Sequence, residues 1–313
     1  MKAKKIVVAL VCAGLCFLAE AHTAKFYIDW KNPTEVKTTG QLVMPFPSNM
    51  NGKMFKGWKD RKTKELYAPY AVVQLTGNAD YTQEYDKLDL SKWSDGDGKA
   101  KPHKTGQGIL YAIGDSITFG TKVGGNAGAW PKFVSEKLGL QCVNDAKAGS
   151  RLSAWRSVLT QSANHNQYID NHAGGVTRDQ MLEGIRKAGV IAFTLGTNDL
   201  LYNNKGEDVA YRMIEFVEAL HHENPQALII LVNGKKMEAF QKGGKYEKSG
   251  AEQDAYADAA QKIFNGPKFK DYCLYIDISD LLAQHSTYEN CERTPDGVHP
   301  GRDGHKAIAA RIL

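Results

Sequence analysis

From residue 109 to Leu313, short apolar runs alternate with longer amphipathic ones, and this rhythm restricts the fold more than any other feature of the 313-residue chain. Runs so short and so uniformly apolar suit strands buried on both faces, and helical crossovers between them require the strands to run parallel. The pattern predicts strands at 109–113, 141–144, 190–195, 228–232 and 273–278. The helices between them carry their own punctuation. Pro131 stands early and Gly139 late in one, and Thr177-x-x-Gln180 forms a capping box ahead of a second that closes at Gly189. A third puts Val209, Met213, Val217 and Leu220 on one stripe and stops before Pro225. A fourth runs from about 254 to 264 and ends at Asn265-Gly266-Pro267, and the last spans 302–313. The fold class expected is α/β, three layers around a five-stranded parallel sheet. Ligands of such sheets sit beyond the carboxyl ends of the strands.

The front of the chain reads differently. Lys2, Lys4 and Lys5, an apolar run from Ile6 to about Ala19 and the small-residue site Ala19-Glu20-Ala21 compose a secretory signal over 1–21. The run is shorter than the ~20 residues a membrane-crossing helix needs. The mature chain is therefore expected to be secreted or periplasmic, with no membrane span. Residues 22–86 alternate β-favouring runs with turn residues and predict a small β-rich module. Residues 87–108, with Ser94-Asp95-Gly96-Asp97-Gly98 and Lys101-Pro102-His103-Lys104, read as a linker. The α/β unit would occupy 109–313.

Losing the leader removes three lysines and one glutamate and takes the formal charge from +5 to +3. With no basic run interleaved with aromatics, nucleic acid is not an expected partner. Cys142, Cys273 and Cys291 remain, at spacings that match no zinc pattern. A Cys273–Cys291 disulfide and three free thiols both stay open.

Four short blocks stand where predicted strands end. Ser116, in Gly114-Asp115-Ser116-Ile117-Thr118, lies where the first strand must turn toward a helix, but a serine hydroxyl needs a base before it is a nucleophile. His299, in Asp296-Gly297-Val298-His299, can be that base. Asp296, three residues earlier across Gly297, can accept its Nδ1 proton and leave Nε2 facing Ser116. Gly149, after Asn144-Asp145-Ala146, and Asn198, in Gly196-Thr197-Asn198-Asp199, offer amide donors for the oxyanion that attack on a carbonyl creates. Taken singly, each block is as well explained by a turn or a helix cap. Asp115 and Asp199 adjoin these positions and read as holders of loop backbone. Arg151, Trp155 and Tyr202 follow the second and third blocks and are candidates for lining the substrate cleft, with core packing the alternative for Trp155. Gly120, Gly124, Gly125 and Gly128 lack dinucleotide-loop spacing and read as a rim loop.

In order and in position, the four blocks resemble the signature of the GDSL/SGNH hydrolase superfamily over about 109–313. The resemblance implies a flavodoxin-like α/β/α fold and ester hydrolysis through an acyl-serine, without metal or cofactor. It assigns Ser116, Asp296 and His299 as the catalytic triad, and Ser116, Gly149 and Asn198 as the oxyanion hole. Residues 25–86, with Phe55-Lys56-Gly57-Trp58 and Leu66-Tyr67-Ala68-Pro69, resemble an internalin-type β-grasp repeat. That likeness implies a core role for Trp58 and a cell-surface glycan or protein contact for the module. Export, the module and the polar stretch 285–293 favour O-acetyl groups on carbohydrate as substrate. Lipid or aryl-ester hydrolysis is the nearest enzymatic alternative, and a non-catalytic glycan or cell-wall binding protein is the alternative of another class.

Overall fold

The computed structural model describes residues 6–7, 21–27, 33–44, 53–68, 71–87, 108–160, 176–202, 204–234, 237–240, 242, 244–279, 281 and 297–313. The chain divides into two compact units, Met1–Leu88 and Asp89–Leu313. The segment read as a linker lies, apart from its first and last residues, outside the described residues.

The first unit is built from strands β1 (Ile6–Val7), β2 (His22–Tyr27), β3 (Thr34–Thr38), β4 (Gln41–Val43), β5 (Lys53–Asp60), β6 (Leu66–Tyr67), β7 (Val72–Gln74) and β8 (Ala79–Lys87). Six of them form one sheet in the order β1-β3-β2-β8-β5-β6, and β4 pairs with β7 in a second. Alternation puts Ala24, Phe26, Trp58 and Tyr81 inside, together with Leu42, Met44 and Leu75. Phe26 meets the Trp58 ring edge-on at 4.8 Å and stacks on Tyr81 at 5.2 Å, so an aromatic cluster is the centre of this small core. The turn from β5 to β6 is set by Asp60, whose Oδ1 accepts the amides of Lys62 and Thr63.

The second unit holds strands β9 (Ile109–Gly114), β10 (Gln141–Asn144), β11 (Val190–Thr194), β12 (Leu228–Asn233) and β13 (Cys273–Asp277). All pairs are parallel and the order is β10-β9-β11-β12-β13. This is the flavodoxin-like order, so the chain reverses its direction of progress across the sheet beside β9. Its helices are α1 (Ser116–Phe119), α2 (Trp130–Leu138), α3 (Leu152–Thr160), α4 (Arg178–Lys187), α5 (Thr197–Leu200), α6 (Gly206–Glu223), α7 (Gly250–Phe264) and α8 (Arg302–Ile312).

Successive strand residues face opposite layers. Leu110, Ala112, Val190, Ala192, Ile230 and Val232 pack with Trp130 and Val134 of α2 and Ile308 of α8. On the other face, Tyr111 abuts Gly184 of α4, Phe193 meets Phe216 of α6 edge-on at 5.5 Å, and the Tyr275 hydroxyl donates to Ala257 O of α7. Strand residues 110–113 and 190–193 are wholly buried, and each Leu, Ile, Val or Phe side chain among them contributes roughly 1.5–3 kcal/mol. The Thr177–Gln180 capping box forms with both of its hydrogen bonds. Helix α7 begins at Gly250 rather than near 254, and Gly250 lies so close to the backbone of Phe240 that a Cβ would stand 2.1 Å from its carbonyl oxygen.

Sequence reading found no helix at α3, although Leu152, Trp155 and Leu159 share one buried face. Within it, Arg156 forms a buried ion pair with Glu215 of α6. Burial pushes the Glu215 carboxyl up and Arg156 opposes that. Cys273 is a buried free thiol, and Cys142 is free as well, so the Cys273–Cys291 disulfide left open above is not formed. Cys273 opens β13. Cys291 itself lies outside the described residues.

Candidate active site

Three neighbouring strands end side by side. Thr194 of β11 is in register with Gly114 of β9, and Asn144 of β10 with Ala112. The turns leaving those ends carry Ser116, Gly149 and Asn198, and the turn before α8 carries His299. Nε2 of His299 lies 2.7 Å from Oγ of Ser116 across 183 residues of sequence. Ser116 is nearly buried, His299 half-buried. Asp296 lies outside the described residues. Gly297 after it has φ 63°, the left-handed turn that brings the chain round to His299.

Ser116 is the first residue of α1, so its N–H belongs to the amides an α-helix leaves unpaired. Neither it nor the N–H of Gly149 has a hydrogen-bond partner among the described residues. Gly149 has φ 79° and open space where a Cβ would stand, so the loop can present its amide without a side chain in front of it. Asn198 directs Nδ2 to the carbonyl of Ser150 at 2.9 Å, which fixes the amide plane and leaves the second Nδ2 proton available.

Ser150 gathers these loops. Its hydroxyl donates to Gly114 O at 2.8 Å and accepts from Trp155 Nε1 at 2.9 Å, while its carbonyl holds Asn198. Trp155, offered above as a possible cleft residue, is wholly buried and does not line a cleft. Its ring packs into the face of α3 and its only polar atom is used on Ser150. Arg151 and Tyr202 are exposed at the rim, with the guanidinium carbon 4.6 Å from the ring centroid.

The two aspartates beside the site hold backbone. Asp199 Oδ2 accepts the Leu152 amide at 2.7 Å and Oδ1 that of Ser153 at 3.3 Å, capping α3 from 47 and 46 residues away. Burial raises its pKa, and these amides oppose the shift. Asp115 caps α1 through Ile117 N–H at 3.0 Å and accepts the Thr194 hydroxyl at 2.7 Å, both on Oδ1. Thr194 in turn meets Thr118 Oγ1 at 2.8 Å, and Thr118 Oγ1 accepts the Thr194 amide. Burial pushes Asp115 up to about 6, against the Thr194 and Ile117 hydrogen bonds and the positive field of His299. Its Oδ2 is buried with no partner among the described residues. Ser150 and Thr194 carried no sequence signal, and Thr118, although inside the first block, had no role readable there, because their partners are remote in the chain. Among the described residues there is no cluster of three metal-ligating side chains.

Residues 112–307 match the family model for GDSL-like lipase/acylhydrolases, and the chain belongs to that family. Solved structures similar to it include LAE5, an α/β hydrolase from the metagenome of Lake Arreo, with 18% identity, 66% of this chain and 93% of that one covered, and a TM-score of 0.47. A lipolytic G-D-S-L family member from Veillonella parvula shares 15% identity over 66% and 96%, with a TM-score of 0.45. A catalytic mutant of Axe2, an acetylxylan esterase from Geobacillus stearothermophilus, shares 16% over 66% and 94%, with a TM-score of 0.44. No curated protein sequence matches the chain.

Proposed function

We propose that the protein is an exported serine esterase that removes O-acetyl groups from carbohydrate through an acyl-serine. The observation that carries the hydrolytic part is the 2.7 Å contact between His299 Nε2 and Ser116 Oγ. In this reading His299 takes the Ser116 proton as Oγ attacks the ester carbonyl, and Asp296 holds the imidazole in the required tautomer. The negative charge that forms on the carbonyl oxygen is met by the amides of Ser116 and Gly149 and by Asn198 Nδ2, each such donor worth about 10²–10³ in rate. His299 then protonates the leaving alcohol, and water repeats the sequence to release the acid. The chemistry calls for no cofactor. Protonating Nε2 removes the acceptor for the Ser116 hydroxyl, so turnover falls in acid.

The leader over 1–21, a front unit read as a surface-contact module and the polar stretch 285–293 support export and an acetylated saccharide. The test compares acetyl, butyryl and octanoyl esters with wild type and Ser116→Ala. Turnover is expected to be highest on acetyl and to drop by at least about 10³ in the variant. A rate that peaks on octanoyl rejects the acetyl reading, and undiminished turnover by Ser116→Ala rejects the mechanism.

A further inference from the structure

The loop that carries Gly149 has cations on both sides of it and no free acid. Arg151 lies two residues past Gly149 and Lys147 two residues before it, and neither has a carboxylate within ion-pair distance among the described residues. The acid of this loop, Asp145, accepts the Tyr111 hydroxyl at 3.0 Å. The negative field that reaches Arg151 is that of Asp199, whose two oxygens are already taken by the amides of Leu152 and Ser153. Among the described residues the guanidinium of Arg151 makes no hydrogen bond, and its one contact there is the stacking over Tyr202, a residue 65% exposed.

Stacking of this kind fixes the plane of a guanidinium while leaving its N–H edge open, and that edge matches the two oxygens of a carboxylate. Its place in the chain puts it at the reaction centre's rim. Arg151 follows Ser150, whose carbonyl holds Asn198, and the Tyr202 amide donates to Asp199 O, one residue past Asn198. A pre-oriented cation two residues from Gly149, with no acid in ion-pair contact among the described residues, has a use if the substrate brings a negative charge to it.

Resting on the esterase reading above, we propose that Arg151, braced by Tyr202 and aided by Lys147, receives a carboxylate that the ester substrate carries, so that acidic esters are favoured over neutral ones. The carboxylate can belong to the alcohol, as in an acetylated uronate, or to the acyl group, as in a half-ester of a dicarboxylic acid. One set of rate measurements separates the two.

Three substrates are compared: an acetylated neutral methyl glycoside, the same glycoside with a carboxylate at C6, and the hemisuccinate of the neutral glycoside. Wild type, Arg151→Gln, Arg151→Lys and Tyr202→Ala are each measured for kcat/KM on all three. The expected result is that the acidic-to-neutral ratio falls about tenfold or more in Arg151→Gln, the worth of a charge-assisted hydrogen bond. Smaller losses are expected in the other two variants, and the wild-type preference should weaken with added salt. A ratio that falls for the uronate places the carboxylate on the alcohol, and one that falls for the hemisuccinate places it on the acyl group. Ratios equal in wild type and Arg151→Gln for both acidic esters overturn the proposal. Hydrolysis of an aryl acetate, run beside these with Ser116→Ala, keeps the two levels apart. Serine-dependent turnover with unmoved ratios removes the carboxylate site alone, whereas turnover that ignores the loss of Ser116 removes the esterase reading and this inference with it.

Discussion

Ser150 is where the turns after β9, β10 and β11 are joined: its hydroxyl reaches Gly114 O and Trp155 Nε1, and its carbonyl reaches Asn198. Two of the proposed oxyanion donors, Gly149 and Asn198, thus depend on one buried side chain and its backbone, and donors help catalysis only if aimed before charge develops. Ser150→Ala leaves Trp155 Nε1 without its partner and removes one of the bonds to Gly114 O. A loss of about 1–3 kcal/mol in stability is expected for a buried group left unsatisfied. The expected kinetic signature is a fall in kcat of about tenfold with KM changed much less, because a loosened donor set weakens the transition state and not substrate binding. Steady-state kinetics with denaturant melts decide it, and an unchanged kcat in a destabilised variant would leave Ser150 a purely structural role. Ser116, Gly149 and Asn198 were legible as candidates in sequence because each sits in a short block after a predicted strand, and His299 because its block, with Asp296, stands just ahead of the last predicted helix. Ser150 was not, since its hydrogen bonds span 36, 5 and 48 residues and no local pattern encodes them.

Helix α1 has only four residues, too few to hold itself together, and depends on Asp115 at its N-cap and on the threonines that tie that cap to β11. That cap is a buried carboxyl with one oxygen unpartnered among the described residues, and burial has raised its pKa from 3.8 to about 6. The folded state therefore keeps a proton there that the unfolded chain releases above about pH 4. Its contribution to stability is fully present below the unfolded pKa and is lost as pH rises through the folded pKa, by on the order of 2–3 kcal/mol. Asp115→Asn keeps an acceptor for Ile117 and Thr194 and cannot ionise. Urea melts from pH 4 to 8 should show the variant gaining on wild type by that amount as pH rises, and parallel profiles would count against a raised Asp115. At this scale the strands were the readable part, since five apolar runs became β9 to β13 with ends shifted by at most a residue. Helix α3 escaped because its start is not written locally: the residue that caps it, Asp199, belongs to α5.

The whole molecule consists of two units with separate cores, one centred on Phe26, Trp58 and Tyr81 and the other on the parallel sheet and its flanking helices. Every described residue of the proposed site, from Gly114 to His299, belongs to the second. That unit alone is long enough to bury a core of ordinary size, whereas a β module of the first unit's length is near the lower limit for independent stability. Residues 89–313 expressed without the first unit are therefore expected to unfold in one cooperative transition and to hydrolyse a small aryl acetate with kcat/KM within about twofold of the full chain. If the front unit contacts surface glycans, what the shortened chain loses is retention on insoluble polysaccharide, and with it turnover of acetyl groups held there and not of soluble ones. Thermal unfolding, aryl acetate kinetics and sedimentation with insoluble acetylated polysaccharide, run on both lengths, separate these effects. An inactive but folded 89–313 would mean that the reaction centre needs residues the first unit supplies. Equal retention of both lengths would remove the surface-contact role from the front unit and leave the esterase reading intact.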